Sequence, residues 1–185
     1  VDSLEEHLSK IHGILAPGGA DINPELYMSR VSPEVREDIR SKLHLAKLSR
    51  ESRERDPFEH ELLTRYSTEE RFEKLPLLGI CRGMQMMSVV QGIPLYVDIK
   101  TEVGIQNRHN RLDMIQVSEK TSVMGSLFGK RSFFGYKIHH QGIRLPYYHA
   151  NKEDFPLAKV TALSNRNMIA ESLEYTHRPA LGVQY

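Results

Sequence analysis

The chain has 185 residues, 39% of them hydrophobic and 26% charged, with a net charge of +1. That length fits one domain with a proper core, and the near-neutral balance gives no electrostatic case for binding nucleic acid or a membrane surface. No apolar run approaches the length of a membrane span, and the single cysteine excludes an internal disulfide and a Cys-rich zinc site and points to a reducing, cytoplasmic setting.

In chain order, Ser3-Leu4-Glu5-Glu6 fits a capping box that opens a short helix to about Ile11. His12 to Ala16 reads as a short strand. It runs into Pro17-Gly18-Gly19-Ala20-Asp21, where paired glycines after a strand mark a sharp turn with exposed backbone N–H groups. Ser32-Pro33 opens a helix. Its apolar residues Val35, Ile39, Leu43 and Ala46 recur at helical spacing, which predicts a helix through about Arg50. Residues 50–56 are mixed in sign and read as a solvated helix face or connection. Asp56-Pro57-Phe58-Glu59 is a second capping pattern, for a helix carrying Phe58, Leu62 and Leu63 to about Tyr66, and Ser67-Thr68-Glu69-Glu70 caps a further short helix. The residues from Arg55 to Leu62 read as packing and capping groups.

Leu75 to Ile80 reads as a buried strand, and Arg82 to Gln91 as a helix, with Cys81 between them. Gly79 and Gly83 flank the cysteine. This G-x-C-x-G is the cysteine counterpart of the G-x-S-x-G nucleophile elbow. A lone cysteine is more often a small buried hydrophobe; the strand, the glycines and the following helix reverse that reading. The helix N-terminus favours thiolate, the nucleophilic form. Met84, Met87 and Val90 read as the sheet-facing side of the helix, and Gly92 and Pro94 end it.

Leu95 to Ile99 reads as a strand with Asp98 near its exposed end. Residues 101–113 are polar and irregular and carry His109 in a surface loop. Met114 to Val117 reads as a strand and Val123 to Phe128 as a turn or short helix. Phe133 to Ile143 reads as a strand on which His139 and His140 face opposite sides, a poor metal chelate. Val160–Leu163 and Met168–Leu173 form a hairpin turning at Ser164–Asn167, and Pro179 to Tyr185 is the last strand.

Gly79-Ile80-Cys81-Arg82-Gly83-Met84-Gln85 resembles the nucleophile motif of class I glutamine amidotransferase-like proteins, and most of all their γ-glutamyl hydrolase branch, peptidase family C26. Pro17 to Tyr27 is similar to that family's P-G-G-x-D-x-x-P-x-x-Y loop. Ile138-His139-His140-Gln141 is similar to its x-F-H-H-Q segment, with Ile138 in place of the usual aromatic residue. Leu181-Gly182-Val183-Gln184-Tyr185 is similar to its L-G-V-Q-[WYF] strand.

The resemblance implies an α/β fold: a mostly parallel sheet, flavodoxin-like, flanked by helices on both faces, with the nucleophile after a central strand and smaller strand pairs beyond residue 114 at one edge. It implies Cys81 as nucleophile, the N–H groups of Arg82 and Gly19 (or a neighbour one position away) as the oxyanion hole, and Gln85, His140 and Gln141 on the substrate side. No metal or organic cofactor is expected. The expected reaction is hydrolysis of a small-molecule γ-glutamyl amide, such as γ-glutamyl-γ-aminobutyrate, through a γ-glutamyl thioester. The alternatives are a glutaminase unit that supplies ammonia to a synthetase, and a non-catalytic γ-glutamyl-binding module. The expected partners beyond the substrate are a second copy or a synthetase. In the family a histidine base and its orienting glutamate follow this strand as H-P-E, and about one more βαβ unit precedes the Ser3 helix. Neither is within residues 1–185, so the expectation is a single domain, incomplete at both ends.

Overall fold

A computed structural model of the chain describes residues 8, 10–105, 111–129 and 131–185. Most of the helix expected from Ser3, and His109 with the centre of its loop, lie outside the described residues.

Three strands carry the organising part of the sheet: β1 (Ile14–Ala16), β2 (Leu77–Ile80) and β9 (Ala180–Val183). They run parallel, with Ala16 opposite Gly79 and Gly79 opposite Gly182. The helices between β1 and β2 are α1 (Glu25–Met28), α2 (Pro33–Ser41) and α3 (Arg50–Thr68). After β2 come α4 (Arg82–Val90), β3 (Leu95–Tyr96) and α5 (Ile99–Val103), then β4 (Arg111–Val117), α6 (Val123–Phe128) and β5 (Ser132–Lys137). The remainder is β6 (Gly142–Ile143), α7 (Leu145–Ala150), β7 (Ala158–Ser164) and β8 (Ile169–Tyr175).

The strand order is β1-β2-β9-β8-β7-β4-β5, and β3 pairs with β6 in a small separate ribbon. The fold is α/β, with a mixed sheet. Parallel pairing is confined to β1-β2-β9, whose strands are separated by long connections, residues 17–76 between β1 and β2 and residues 81–179 between β2 and β9. The pairs β9–β8, β8–β7, β7–β4 and β4–β5 are antiparallel. Short links joining β7 to β8 and β8 to β9 leave no room for a crossover. The strand pairs β7–β8 and β4–β5 lie at one edge, as expected, and are hydrogen-bonded into the main sheet.

Several helix boundaries differ from the sequence expectation. Helix α2 ends at Ser41, and a single 3-10 turn, Leu43–Leu45, follows. The chain then turns extended at Ala46, and the Lys47 N–H donates to Asp21 Oδ2 at 2.6 Å, which holds this segment against the glycine loop. Helix α3 begins at Arg50, under a capping box built by Ser49 and Ser52, and runs through Pro57. Residues 50–56 are thus the first turns of one long helix. Asp98 accepts from Thr101 N–H and caps α5, where a longer strand was expected. Helix α7 has no apolar periodicity in the sequence to announce it; Pro146 in its first turn is its main local signal.

Helix α4 lies between the sheet and α3, and Met84, Met86, Met87 and Val89 are all fully buried in the main core. Here the reading of the methionines as core holds. The opposite face is less covered: Leu15 on β1 is 61% exposed and Leu78 on β2 39%, so helices do not pack both faces of the parallel strands among the described residues. None of the described helices is long and apolar enough to cross a membrane.

The close approach of α4 to β1 depends on Gly83. A Cβ at that position would lie 2.0 Å from the Ala16 carbonyl oxygen, a backbone atom that cannot swing away. Gly83→Ala is expected to destabilise the fold by about 1–3 kcal/mol or more, measurable as a fall in the urea midpoint at unchanged m-value.

Candidate active site

Cys81 sits at the junction of β2 and α4 with φ 52° and ψ −103°. A non-glycine residue in that region is strained. The neighbouring bonds over-determine it: Cys81 N–H donates to Val183 O at 2.7 Å, and Cys81 O accepts from Gln85 N–H at 3.1 Å. The elbow read from the sequence is therefore present, with its sulfur bearer turned out of the strand at the helix N-terminus.

Cys81 shares a cavity of about 250 Å³ with Gly19, Asp21, Gln85, Ile138, His139, His140 and Gln141. The structure thus brings together the cysteine, the glycine loop and the His-His-Gln segment. The two histidines occupy the link between β5 and β6, not a strand, and are not alternating strand residues. His140 Nε2 lies 2.8 Å from Asp21 Oδ1, and its Nδ1 lies 3.5 Å from Asp98 Oδ1. Burial opposes ionisation of Asp98, but hydrogen bonds from Thr101 and the charge of His140 outweigh it and draw the carboxyl down. His139 is buried with Nδ1 2.8 Å from Gln141 O; burial pushes its imidazole down to about 4, so it is neutral at pH 7. His177 is elsewhere, stacked on Tyr175 and 3.3 Å from Ser67 O. Among the described residues there is no cluster suited to a metal ion.

Gln85 and Gln141 line the cavity, yet their amides are engaged within the protein. Gln141 Oε1 accepts from Ile22 N–H at 3.0 Å and its Nε2 donates to Ile22 O at 3.2 Å. Gln85 Nε2 donates to Gln141 O at 3.0 Å and to Gln184 Oε1 at 3.2 Å. These bonds tie the glycine loop, the His-His-Gln segment, α4 and the end of β9 into one wall. Gln184 was not singled out as a site residue. Its backbone N–H donates to Glu171 O at 3.0 Å, and its side-chain Oε1 accepts from Gln85 at 3.2 Å.

The thiol does not follow the simple expectation for a helix N-terminus. Burial pushes the Cys81 thiol up, and the negative charges of Asp21 and Glu171 add to that. The Arg82 N–H and the Gln184 amide pull the other way without prevailing. In this environment the sulfur is protonated at neutral pH, and thiolate requires a base.

The side chain of Arg82, whose backbone N–H is the first oxyanion candidate, is 1% exposed. It is paired with Asp56 Oδ1 at 2.5 Å and with Glu59 Oε2. Asp56 Oδ2 accepts the Asn23 N–H at 2.9 Å. Glu59 Oε1 takes Arg55 Nε at 2.7 Å. Arg55 Nη1 donates to Glu51 Oε1 at 2.6 Å and to Gly18 O at 3.2 Å, and its Nη2 donates to Pro17 O at 3.5 Å. The residues read as a solvated stretch and its capping box thus form a charge network under the site. The signal available in the sequence was the i, i+4 spacing of Arg55 and Glu59 and the i, i+3 spacing of Asp56 and Glu59, which make each pair neighbours on the helix surface.

Solved glutamine amidotransferases share this fold. The glutaminase domain of Trypanosoma brucei CTPS, with bound acivicin, matches at TM-score 0.59 and 13% identity over 100% of this chain and 66% of that one. A glutamine amidotransferase of Thermotoga maritima matches at TM-score 0.51 and 18% identity over 94% of this chain and 75% of that one. The Peptidase C26 family model matches residues 1–185, and the chain belongs to that family. Protein NtpR of Enterococcus hirae is 30% identical over 189 residues, which span 97% of this chain and 67% of NtpR.

Two measurements check the electrostatics of the site. Alkylation of Cys81 by iodoacetamide, followed against pH, is expected to show a midpoint above the ordinary thiol range, and Gln184→Ala is expected to move it higher still. Asp56→Ala leaves Arg82 short of a buried partner and is expected to cost about 3–5 kcal/mol in denaturant unfolding.

Proposed function

We propose that this chain carries the nucleophile of a hydrolase acting on γ-glutamyl amides, with γ-glutamylated amines such as γ-glutamyl-γ-aminobutyrate as its substrate class. One observation carries the reading: Cys81 is held at a strained strand-to-helix turn beside a glycine loop, in a cavity sized for a small molecule. Membership of the peptidase C26 family supports amide hydrolysis as the chemistry.

In the proposed cycle the Cys81 S–H loses its proton to a base and the sulfur attacks the γ-carbonyl carbon. The N–H groups of Arg82 and Gly19 receive the developing oxyanion, each worth about 3–4 kcal/mol in the transition state. The C–N bond breaks, the amine departs with the proton returned by the base, and a γ-glutamyl thioester remains. Water then cleaves the thioester and releases glutamate. The base we assign is the histidine that the family resemblance places directly after Tyr185. The bond between Cys81 N–H and Val183 O supports that assignment, because it lays the end of β9 against the elbow. Gln184 at that end accepts from Gln85 of α4, which keeps this end of the chain beside the cavity. His140 shares the cavity, but its ring nitrogens face Asp21 and Asp98, which suits it to holding the polar end of the substrate.

A second reading, a glutaminase unit that feeds ammonia to a synthetase, uses the same thioester. The fold shared with the glutaminase domain of Trypanosoma brucei CTPS favours it.

The test is hydrolysis of a panel of γ-glutamyl amides and glutamine by the protein extended past Tyr185, with acid quenching and mass spectrometry to trap the γ-glutamyl adduct on Cys81. Turnover of γ-glutamylated amines, an adduct on the Cys81 peptide and loss of both in Cys81→Ala are expected. Activity on glutamine alone that rises when a synthetase is added would select the second reading. Ligand binding without turnover, unchanged in Cys81→Ala, would overturn both.

A further inference from the structure

The two N–H groups assigned to the oxyanion come from different parts of the chain, so something must hold them in register. Arg82 N–H is fixed by the first turn of α4. The Pro17–Asp21 loop has no such support of its own. Among the described residues no acceptor is bonded to the Gly19 N–H.

Arg55 supplies the missing constraint. Its guanidinium reaches from α3 to the carbonyl oxygens of both Pro17 and Gly18. In a trans peptide the C=O of one residue and the N–H of the next point in opposite directions. A Gly18 carbonyl held on Arg55 therefore turns the Gly19 N–H away from α3. Across the loop from α3 stands Cys81: an ideal Cβ on Gly18 would lie 3.7 Å from the Cys81 Cβ, whereas one on Gly19 would lie 2.6 Å from Arg55 Nη1. Glycine at position 19 is what lets the guanidinium come this close.

The guanidinium is itself locked. Nε bonds Glu59 Oε1 and Nη1 bonds Glu51 Oε1, while Glu59 turns its other oxygen to Arg82. One carboxylate thus sets the loop bearing the first N–H and the residue bearing the second. We propose that Arg55 is a positioning residue of the oxyanion hole, fixing the Gly18–Gly19 peptide so that the Gly19 N–H faces the carbonyl attacked by Cys81; this rests on the hydrolase reading above. Arginine is required, because the role uses donors on three nitrogens in a rigid fork. A lysine carries the charge on one flexible point and cannot span both carbonyls and both carboxylates.

The experiment compares two reagents on the same sulfur. Iodoacetamide alkylates Cys81 by direct displacement, with no oxyanion. A chloromethyl ketone analogue of glutamine reacts by addition of the sulfur to its carbonyl, which places an oxyanion in the hole before chloride leaves. In Arg55→Lys the ketone is expected to label Cys81 about 10²-fold more slowly, the loss typical of one oxyanion donor. Iodoacetamide labelling is expected to change by less than about twofold, since its transition state makes no use of that donor. Arg55→Gln, which removes the charge, is expected to show the same split. Equal slowing of both reagents would mean a general disturbance of the elbow and overturn the proposal, as would unchanged ketone labelling. Failure of the unsubstituted protein to react with the ketone, while iodoacetamide still labels it, would instead overturn the hydrolase reading and this proposal with it.

Discussion

Glu59 is the hinge between two cationic side chains that would otherwise have no reason to be near one another. Arg82 projects back from the elbow into the interior, and Arg55 lies along α3 toward the glycine loop. An arginine that is 1% exposed is costly unless its charge is met at close range. Asp56 and Glu59 meet it, and their i, i+3 spacing on α3 matches the width of one guanidinium. The elbow, the glycine loop and the start of α1 are all referred to this one helix: Arg82 binds it directly, Pro17 and Gly18 through Arg55, and Asn23 through Asp56. The network contributes geometry more than net stability, since buried ion pairs typically about break even against their desolvation.

The cysteine shows how two familiar effects compete. A helix N-terminus lowers a thiol and burial raises it. Here burial prevails, assisted by the carboxylates of Asp21 and Glu171. A resting thiol of this kind is protected from adventitious oxidation and becomes nucleophilic only when a base engages it. The Gln184 amide pulls weakly toward thiolate, and it is held through Gln85 to the His-His-Gln segment. The end of β9 and the His-His-Gln side of the cavity are thus linked through amides rather than charges.

What could be read from the sequence was whatever rests on contiguous residues. The elbow, the methionine-lined helix and the hairpin at Ser164–Asn167 all declare themselves within a few positions. The hairpin turn has Asn165, Arg166 and Asn167 at positive φ, conformations that asparagine tolerates. The features that escaped are decided by partners far along the chain. Nothing near Gln141 states that its side chain will bond Ile22, 119 positions away. Residues 50–56 look like a solvated run because nothing local states that Asp56 will face Arg82. Strand order is not local either: nothing near Pro179–Tyr185 states that β9 will lie between β2 and β8.

The β4–β5 hairpin joins the rest of the sheet through β7 at Gln116–Leu163 and Val117–Ala162, whereas β4 and β5 pair with each other along six positions. Leu112 faces Tyr136 and Met114 faces Phe134, and all four are about half exposed or more. The backbone attachment is narrow, but the inner face of the hairpin is anchored: Lys137 is buried against Glu171 on β8, and Phe133 packs on Tyr185. The His139–Gln141 segment leaves directly from the end of β5 and is bonded to Ile22 and Gln85, so it couples the hairpin to the glycine loop and α4. A disturbance of the hairpin therefore reaches the cavity through Gln141, whose side chain holds Ile22 and whose carbonyl holds Gln85.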